Sequence, residues 1–132
     1  MSTIDADDFG TIERDETTNL VRLSWLPETE DMTLEDFRNT LTVLADAVVE
    51  HGASGALVDV REFRSEVPEE DDGWREEVIV PRYNTVLSRF AWLAGPEFEE
   101  LPGGGGVYSN DGEEYANRWF HDEDEAIAWA TA

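Results

Sequence analysis

TLEDFRNTLTVLADAVVEHGASGALVDV, residues 33–60, contains the elements that decide the fold. Thr33 with Asp36 resembles a capping box at the start of a helix, and Gly52 takes the position of its C-terminal cap. The near-continuous apolar run at residues 55–60 predicts a strand buried on both faces. Apolar residues spaced three and four apart predict one buried face for the helix: Leu34, Phe37, Leu41, Leu44 and Val48. A helix followed directly by such a strand is typical of α/β proteins.

Four further strands are predicted around this central unit. Residues 11–15 and 20–26 flank a polar turn, and alternating apolar residues in the second of them indicate a half-buried antiparallel pair. Residues 88–94 form another apolar segment, and residues 115–120 have the pattern of a final strand. With the strand at 55–60, the sheet has about five strands.

Three more helical segments are expected. The stretch 67–83 begins with Pro68 and four acids, which suit the first turn of a helix, and Pro81 must kink or end that helix. A brief helix is expected in residues 97–101, and Asp122 opens a last short helix.

The chain has the length of one domain. It contains 132 residues, and 40% of them are hydrophobic, which is enough for a packed core. Residues 1–10 are polar and acidic and end at a glycine, so we expect a flexible lead-in there. Residues 11–132 are expected to form a single α/β domain, with a mixed sheet and helices packed against it.

Charge is the most unusual property of this sequence. All nine basic residues are arginine, against 32 acids, and the net charge is -23. The acids are spread along the whole chain, and molar salt would screen the repulsion between them. We therefore predict a halophilic protein. An acidic mimic of DNA is the alternative, but a mimic should concentrate its acids on regularly spaced faces. Nucleic-acid binding is not expected, because phosphate backbones require a basic face.

The terminal and cysteine patterns bear on localisation. There is no cysteine, and the start MSTIDADDFG has neither the basic residues nor the apolar run of a signal peptide. No stretch approaches the ~20 apolar residues of a membrane span. We expect a cytoplasmic protein without a transmembrane segment.

Several of these segments together resemble the SpoIIAA-like proteins, a branch of the STAS and Sec14-type (CRAL-TRIO-like) superfamily. The resemblance covers residues 11–131 and includes Trp74 and Pro81; it also rests on the segments VRLSW, TLEDFRNTLTVLADAVVEHG, ALVDVREFR, RFAWLAG and RWFHDEDEAIAWA. It implies a SpoIIAA-like mixed sheet. It also implies a protein-partner switch or a lipid-binding module, and it implies no catalytic residues.

Ser65 departs from the phosphorylated switches of that superfamily. Anti-sigma-factor antagonists of the STAS type carry Asp-Ser or Ser-Ser, followed by Gly, after the corresponding strand. Here a single Ser65 is followed closely by four acids, which would repel a phosphate. We expect Ser65 to be a loop or helix-cap serine rather than a switch.

The end of the 55–60 strand is the candidate ligand-binding site. Ligands of open α/β sheets sit outside the carboxyl ends of parallel strands, where Asp59 lies. An anionic ligand there could be clamped by Arg61 or Arg82, with Ser65 nearby and Trp74 as an apolar wall. The alternatives are that the arginines pair with neighbouring acids and that Asp59 is a buried acceptor for loop amides.

Other chemistry has little support in the sequence. His51 and His121 lie in no ligand spacing, so no metal site is expected. Residues 103–106 are GGGG without the lysine of a phosphate loop, and no cofactor motif is present.

Three functional hypotheses remain. The first is a non-enzymatic module that binds a protein partner or a small molecule, whether an apolar compound, a lipid or an anion. The second is an enzyme that uses Asp59 and nearby arginines; it requires Asp59, Arg61 and Arg82 to converge on one pocket. The third is a homodimeric scaffold paired through a sheet edge or a helix face, which would be favoured by a contiguous apolar patch.

Overall fold

The computed structural model describes residues 1–66 and 71–132 and contains one six-stranded sheet. The first three strands are antiparallel neighbours, and the third to the sixth run parallel to one another. In order across the sheet, which is also chain order, the strands are β1 (Ser2–Ala6), β2 (Gly10–Asp15), β3 (Leu20–Trp25), β4 (Gly55–Asp59), β5 (Arg89–Leu93) and β6 (Ala116–Phe120). The mixed α/β class is confirmed.

Helices cover both faces of this sheet. The helical elements are α1 (Leu34–Glu50), α2 (Asp71–Trp74), a π-helical turn (Arg75–Ile79), α3 (Val80–Tyr83) and α4 (Glu123–Ala130). The continuous run 71–83 is called here the second helical segment. It lies with α1 on one face of the sheet, and α4 lies on the other. No helix within residues 1–66 and 71–132 combines the length and hydropathy needed to cross a bilayer.

Both ends of α1 are capped as its sequence predicts. Thr33 and Asp36 form a capping box, with each side chain accepting the backbone N–H of the other residue. At the opposite end Gly52 has a φ of 58°, and the N–H of Ala53 donates to the carbonyl of Val48 at 2.9 Å. This is a Schellman motif, in which glycine adopts the left-handed conformation at no steric cost.

The second helical segment passes through Pro81 by changing its helix type. Proline lacks an N–H and clashes with the carbonyl four residues earlier. A π-helical turn precedes it, and the N–H of Val80 donates to Arg75, five residues back. The helix therefore continues to Tyr83 instead of ending at Pro81. The predicted start at Pro68 lies outside the described residues.

Two sequence predictions differ from the observed elements. The structure has six strands rather than five, because Ser2–Ala6, expected to belong to a flexible lead-in over residues 1–10, forms β1. All five residues of β1 are exposed, so backbone pairing with β2 rather than a buried apolar face holds this edge strand. The brief helix expected at 97–101 is absent; a turn forms at Pro102–Gly105 instead, with Gly103 and Gly104 in the left-handed conformation at φ of 68° and 64°. Too few residues separate Pro96 from Pro102 for a stable helix.

Strand β4 lies at the centre of the fold and is buried along its whole length. Successive side chains of a strand point to opposite faces of the sheet. Ala56 and Val58 belong to the core under α1, whereas Leu57 belongs to the core under α4. Asp59 follows Leu57 in this alternation and therefore lies on the α4 face.

Candidate functional site

Asp59 lies at the centre of a four-residue ion cluster at the carboxyl end of β4. Arg61 donates to it from the side chain, with Nη2 2.7 Å from Oδ2, and from its backbone N–H, 3.0 Å from Oδ1. Arg22 of β3 donates to the same Oδ2 at 3.1 Å, and its other amino group binds Glu123 at the start of α4. The cluster thus joins β3, β4 and α4.

Electrostatics keep Asp59 ionised. Burial alone would raise the pKa of this carboxyl, but the hydrogen bonds from Arg61 and the charges of Arg61 and Arg22 outweigh it, so the pKa is lowered. The same contacts raise the pKa of Arg61. Because both carboxylate oxygens already accept hydrogen bonds, Asp59 acts as a structural acceptor that braces the strand ends.

This lowered pKa predicts how Asp59 contributes to stability at different pH. A carboxylate whose pKa is lowered by folding stabilises the native state above its unfolded pKa, about 3.9, and the contribution is lost as pH falls through the folded value. We expect the stability advantage of the wild type over Asp59→Asn to be constant near neutral pH and to shrink below about pH 4. Urea denaturation of both proteins at matched salt measures it. An advantage that persists unchanged in acid would contradict the lowered pKa.

The other candidate residues do not join this cluster. Arg82 of α3 pairs with Asp46 of α1. Trp74 lies under the guanidinium of Arg38, 5.1 Å from its carbon to the ring centroid. Ser65 is half-buried in the segment after β4. The structure therefore brings Asp59 and Arg61 together and places Trp74 and Arg82 at separate sites.

A cavity of about 300 Å³ lies on the opposite face of the sheet, beneath α1 and the second helical segment. We call it the aromatic cavity. Its apolar aliphatic lining comes from Leu41, Val58, Val60 and Ile79. Among the described residues, eight aromatic side chains also line it: Trp25, Phe37, Phe63, Tyr83, Phe90, Trp92, Tyr108 and Trp119. Sites that bind small molecules are usually concave and lined in this way.

Stacked rings hold two of its walls. On one side Trp25 stacks on Phe37, with ring centroids 5.7 Å apart. On the other side Trp92 stacks between Phe90 and Trp119, at 4.7 Å and 5.1 Å. Each ring limits the rotation of its neighbours, so the cavity is preformed rather than created by a ligand.

A few polar groups reach the cavity from the β6 side. Asn117 is buried. Its side-chain oxygen Oδ1 accepts the Trp92 indole N–H at 3.2 Å, and its side-chain nitrogen Nδ2 donates to Glu113 at 2.8 Å. The hydroxyl of Tyr108 accepts the indole N–H of Trp119 at 2.8 Å. Burial raises the pKa of Tyr108, so this hydroxyl keeps its proton and can donate it to a ligand.

Charged groups reach the cavity from the second helical segment. Asp71 has a side chain only 2% exposed, and its Oδ1 accepts hydrogen bonds from Arg38. Arg75 also lines the cavity, and its Nη1 lies 3.9 Å from the buried carboxylate of Glu113. Within the described ranges, no three His, Cys, Asp or Glu side chains are grouped to hold a metal ion.

The sequence analysis assigned no function to Trp92, Trp119, Asp71 or Arg75. One signal was available: Phe90 and Trp92 on β5 are two residues apart, as are Asn117 and Trp119 on β6. This spacing directs all four side chains to one face of the sheet. An asparagine between aromatic residues on a buried face indicates a polar group within the core, but the pattern does not show whether a cavity surrounds it.

The comparisons with known proteins bear on the fold. No family model matches the chain, and no curated protein matches it. One solved structure is similar: the crystal structure of an uncharacterised protein of the DUF3478 family, with a SpoIIAA-like fold, from Shewanella loihica PV-4. The two chains share 17% identity with a TM-score of 0.60, over 96% of this chain and 98% of that one. The SpoIIAA-like fold is thereby confirmed.

Proposed function

We propose that the protein is a non-enzymatic module that binds a small, mostly apolar molecule in the aromatic cavity. The observation that supports this proposal most strongly is the cavity itself. It is preformed, its walls contain stacked rings, and few polar groups line it. Its volume is twice that of a dry cavity of about 150 Å³ that binds benzene. One or two rings or a short chain would fill it. The sequence resemblance to the STAS and Sec14-type superfamily, which includes lipid-binding modules, also supports an apolar ligand.

The enzyme hypothesis has less support. It requires Asp59, Arg61 and Arg82 to converge, but Arg82 contacts Asp46 on the other side of the sheet. Asp59 is neutralised by two arginines and lies on the face opposite the aromatic cavity. A carboxylate with both oxygens in such contacts is a poor general base or nucleophile.

Within residues 1–66 and 71–132, no single docking face supports the partner and homodimer hypotheses. Large exposed apolar side chains occur on β1, on α1, in the second helical segment and in the connections; examples are Ile4, Leu34, Val78 and Phe98. Single exposed apolar residues are normal on a protein surface and mark no interface. A protein partner thus remains the second candidate, behind a small ligand.

The proposed setting is the cytoplasm of a salt-accumulating cell. A net charge of -23 without a single lysine supports this setting, because dense acidic repulsion is tolerated when salt shortens its range. The same charge argues against nucleic acid as a partner.

Filling the cavity tests the proposed function. Val60 lines the cavity and is half-buried, whereas Val78 is 40% exposed and lies outside the lining. We expect Val60→Phe to weaken binding of the neutral probe 1-naphthalenemethanol at least tenfold, and Val78→Phe to leave it unchanged. Quenching of tryptophan fluorescence at one fixed high salt concentration measures the affinity. Absence of binding by the wild type, or equal affinity in both variants, would refute the proposal.

A further inference from the structure

Asp71 has an acceptor that the described residues leave unused. Both contacts from Arg38, at 2.7 Å from Nε and 2.6 Å from Nη2, go to Oδ1. Oδ2 is buried and has no hydrogen-bond partner among residues 1–66 and 71–132. A buried carboxylate oxygen without a donor is costly, so an occupant of the cavity that supplies a donor would be bound more tightly.

The aromatic rings that line the cavity also bear on the charge of its occupant. The faces of tryptophan, tyrosine and phenylalanine rings carry negative potential and attract cations within about 6 Å. Three tryptophans line the same cavity as Asp71. Trp92 and Trp119 have aromatic rings stacked on both faces, whereas Trp25 stacks on Phe37. Trp74, beneath the guanidinium of Arg38, makes this kind of contact within the chain itself.

The net charge around the cavity also favours a cationic ligand. Asp71 and Asp72 line it, and Arg75 is the cation in the described lining. Arg75 faces the carboxylate of Glu113, and Arg38 is paired with Asp71. These three acids against two arginines leave one negative charge.

We propose that the ligand of the aromatic cavity is an apolar amine, with its rings or chain against the tryptophans and its protonated nitrogen donating to Oδ2 of Asp71. This inference rests on the proposed function. It goes further by assigning a ligand class and a residue, Asp71, that recognises it.

Three probes that share a naphthalene ring test the inference on the unaltered protein. They are 1-naphthalenemethylamine, 1-naphthalenemethanol and 1-naphthoate, which are cationic, neutral and anionic at neutral pH. We expect the amine to bind at least tenfold more tightly than the alcohol at the same salt concentration, because a hydrogen bond to a charged group contributes more than one to a neutral group. The anion should bind more weakly than either. Tryptophan fluorescence quenching gives all three affinities.

Two matched variants locate the effect. Asp71→Asn should bring the amine and the alcohol to nearly equal affinity. Asp46→Asn removes a carboxylate that also pairs with an arginine, Arg82, but lies outside the cavity lining, and it should keep the full preference. The series on the wild type decides the matter even if Asp71→Asn does not fold.

The outcomes separate this inference from the proposed function. Equal binding of amine and alcohol would overturn the inference and leave the proposed function standing. A preference for the anion would also overturn it and assign recognition to Arg75. If none of the three probes binds, the proposed function fails and the inference fails with it.

Discussion

Replacing Asp59 with alanine is expected to lower the free energy of unfolding by about 3 kcal/mol. The substitution removes the carboxylate that accepts from Arg22 and Arg61, and the side chain of Arg22 is only 11% exposed. A buried guanidinium that loses its partner retains the full cost of leaving water. We place the loss at the lower end of the range for buried pairs because Arg22 keeps its contact with Glu123. Urea denaturation at fixed pH and salt measures it.

Glu62→Ala is the matched control for this substitution. Glu62 pairs with Arg64 at 3.1 Å, but about half of each side chain is exposed. An exposed pair contributes little, so we expect a change below about 1 kcal/mol. If Asp59→Ala were no more destabilising than this control, the four-residue cluster would not brace the sheet.

The second large effect is expected at Gly55, where the end of α4 lies directly on β4. A Cβ built at this position would lie 2.2 Å from the carbonyl oxygen of Ala130. The obstacle is backbone, which cannot move aside without displacing α4. We expect Gly55→Ala to destabilise the protein by about 3 kcal/mol, the upper end for overpacking by one methyl group. Thermal or urea unfolding measures the loss.

Gly73→Ala should raise the free energy of unfolding, whereas Gly55→Ala should lower it. Gly73 is exposed in α2, and a Cβ there meets nothing within 4 Å in the part of the chain that the structure describes. Alanine in a helix is favoured over glycine by about 0.5–1 kcal/mol, so this variant should be slightly more stable than the wild type. Destabilisation of similar size in both variants would mean that contact with Ala130 is not what selects glycine at position 55.

Elements held by interactions between residues close in sequence were predicted correctly, whereas elements that depend on distant residues were not. Helix α1 was predictable because its capping box, apolar stripe and terminal glycine are local signals, all within residues 33–52. One member of the predicted buried stripe was wrong: Leu34 is 40% exposed, because it lies in the first turn at the end of the helix. Strand β1 was not predictable, because its five residues are exposed and carry no buried face to generate a pattern. Its strand conformation comes from pairing with β2. The sequence of β1 itself contains no periodic pattern that would predict this pairing.

The candidate site was predictable only in part for the same reason. Asp59 and Arg61 are two residues apart, and their contact follows from the end of a strand. Arg22 lies 37 residues from Asp59 and 101 from Glu123, so the rest of the cluster depends on the tertiary fold. Trp74 and Arg82 were close to Asp59 in sequence but lie on helices whose side chains turn to α1.

The aromatic cavity could not be predicted from pattern alone. Buried aromatic residues have the same spacing whether they fill a core or surround a gap. A cavity forms where helices and sheet do not pack tightly against each other. Here it depends on how α1 and the second helical segment approach β5 and β6.

The strands lie in the sheet in the same order as in the chain, and this order affects how the protein folds. Each strand after the first pairs with the one synthesised immediately before it, so the sheet can grow in the direction of synthesis. The β1–β3 meander can assemble while later residues are still being translated. Helix α4 comes last, and until it docks, Leu57 and Leu93 on its face of the sheet are uncovered. Chains interrupted before residue 123 would therefore present an apolar face to chaperones and to one another.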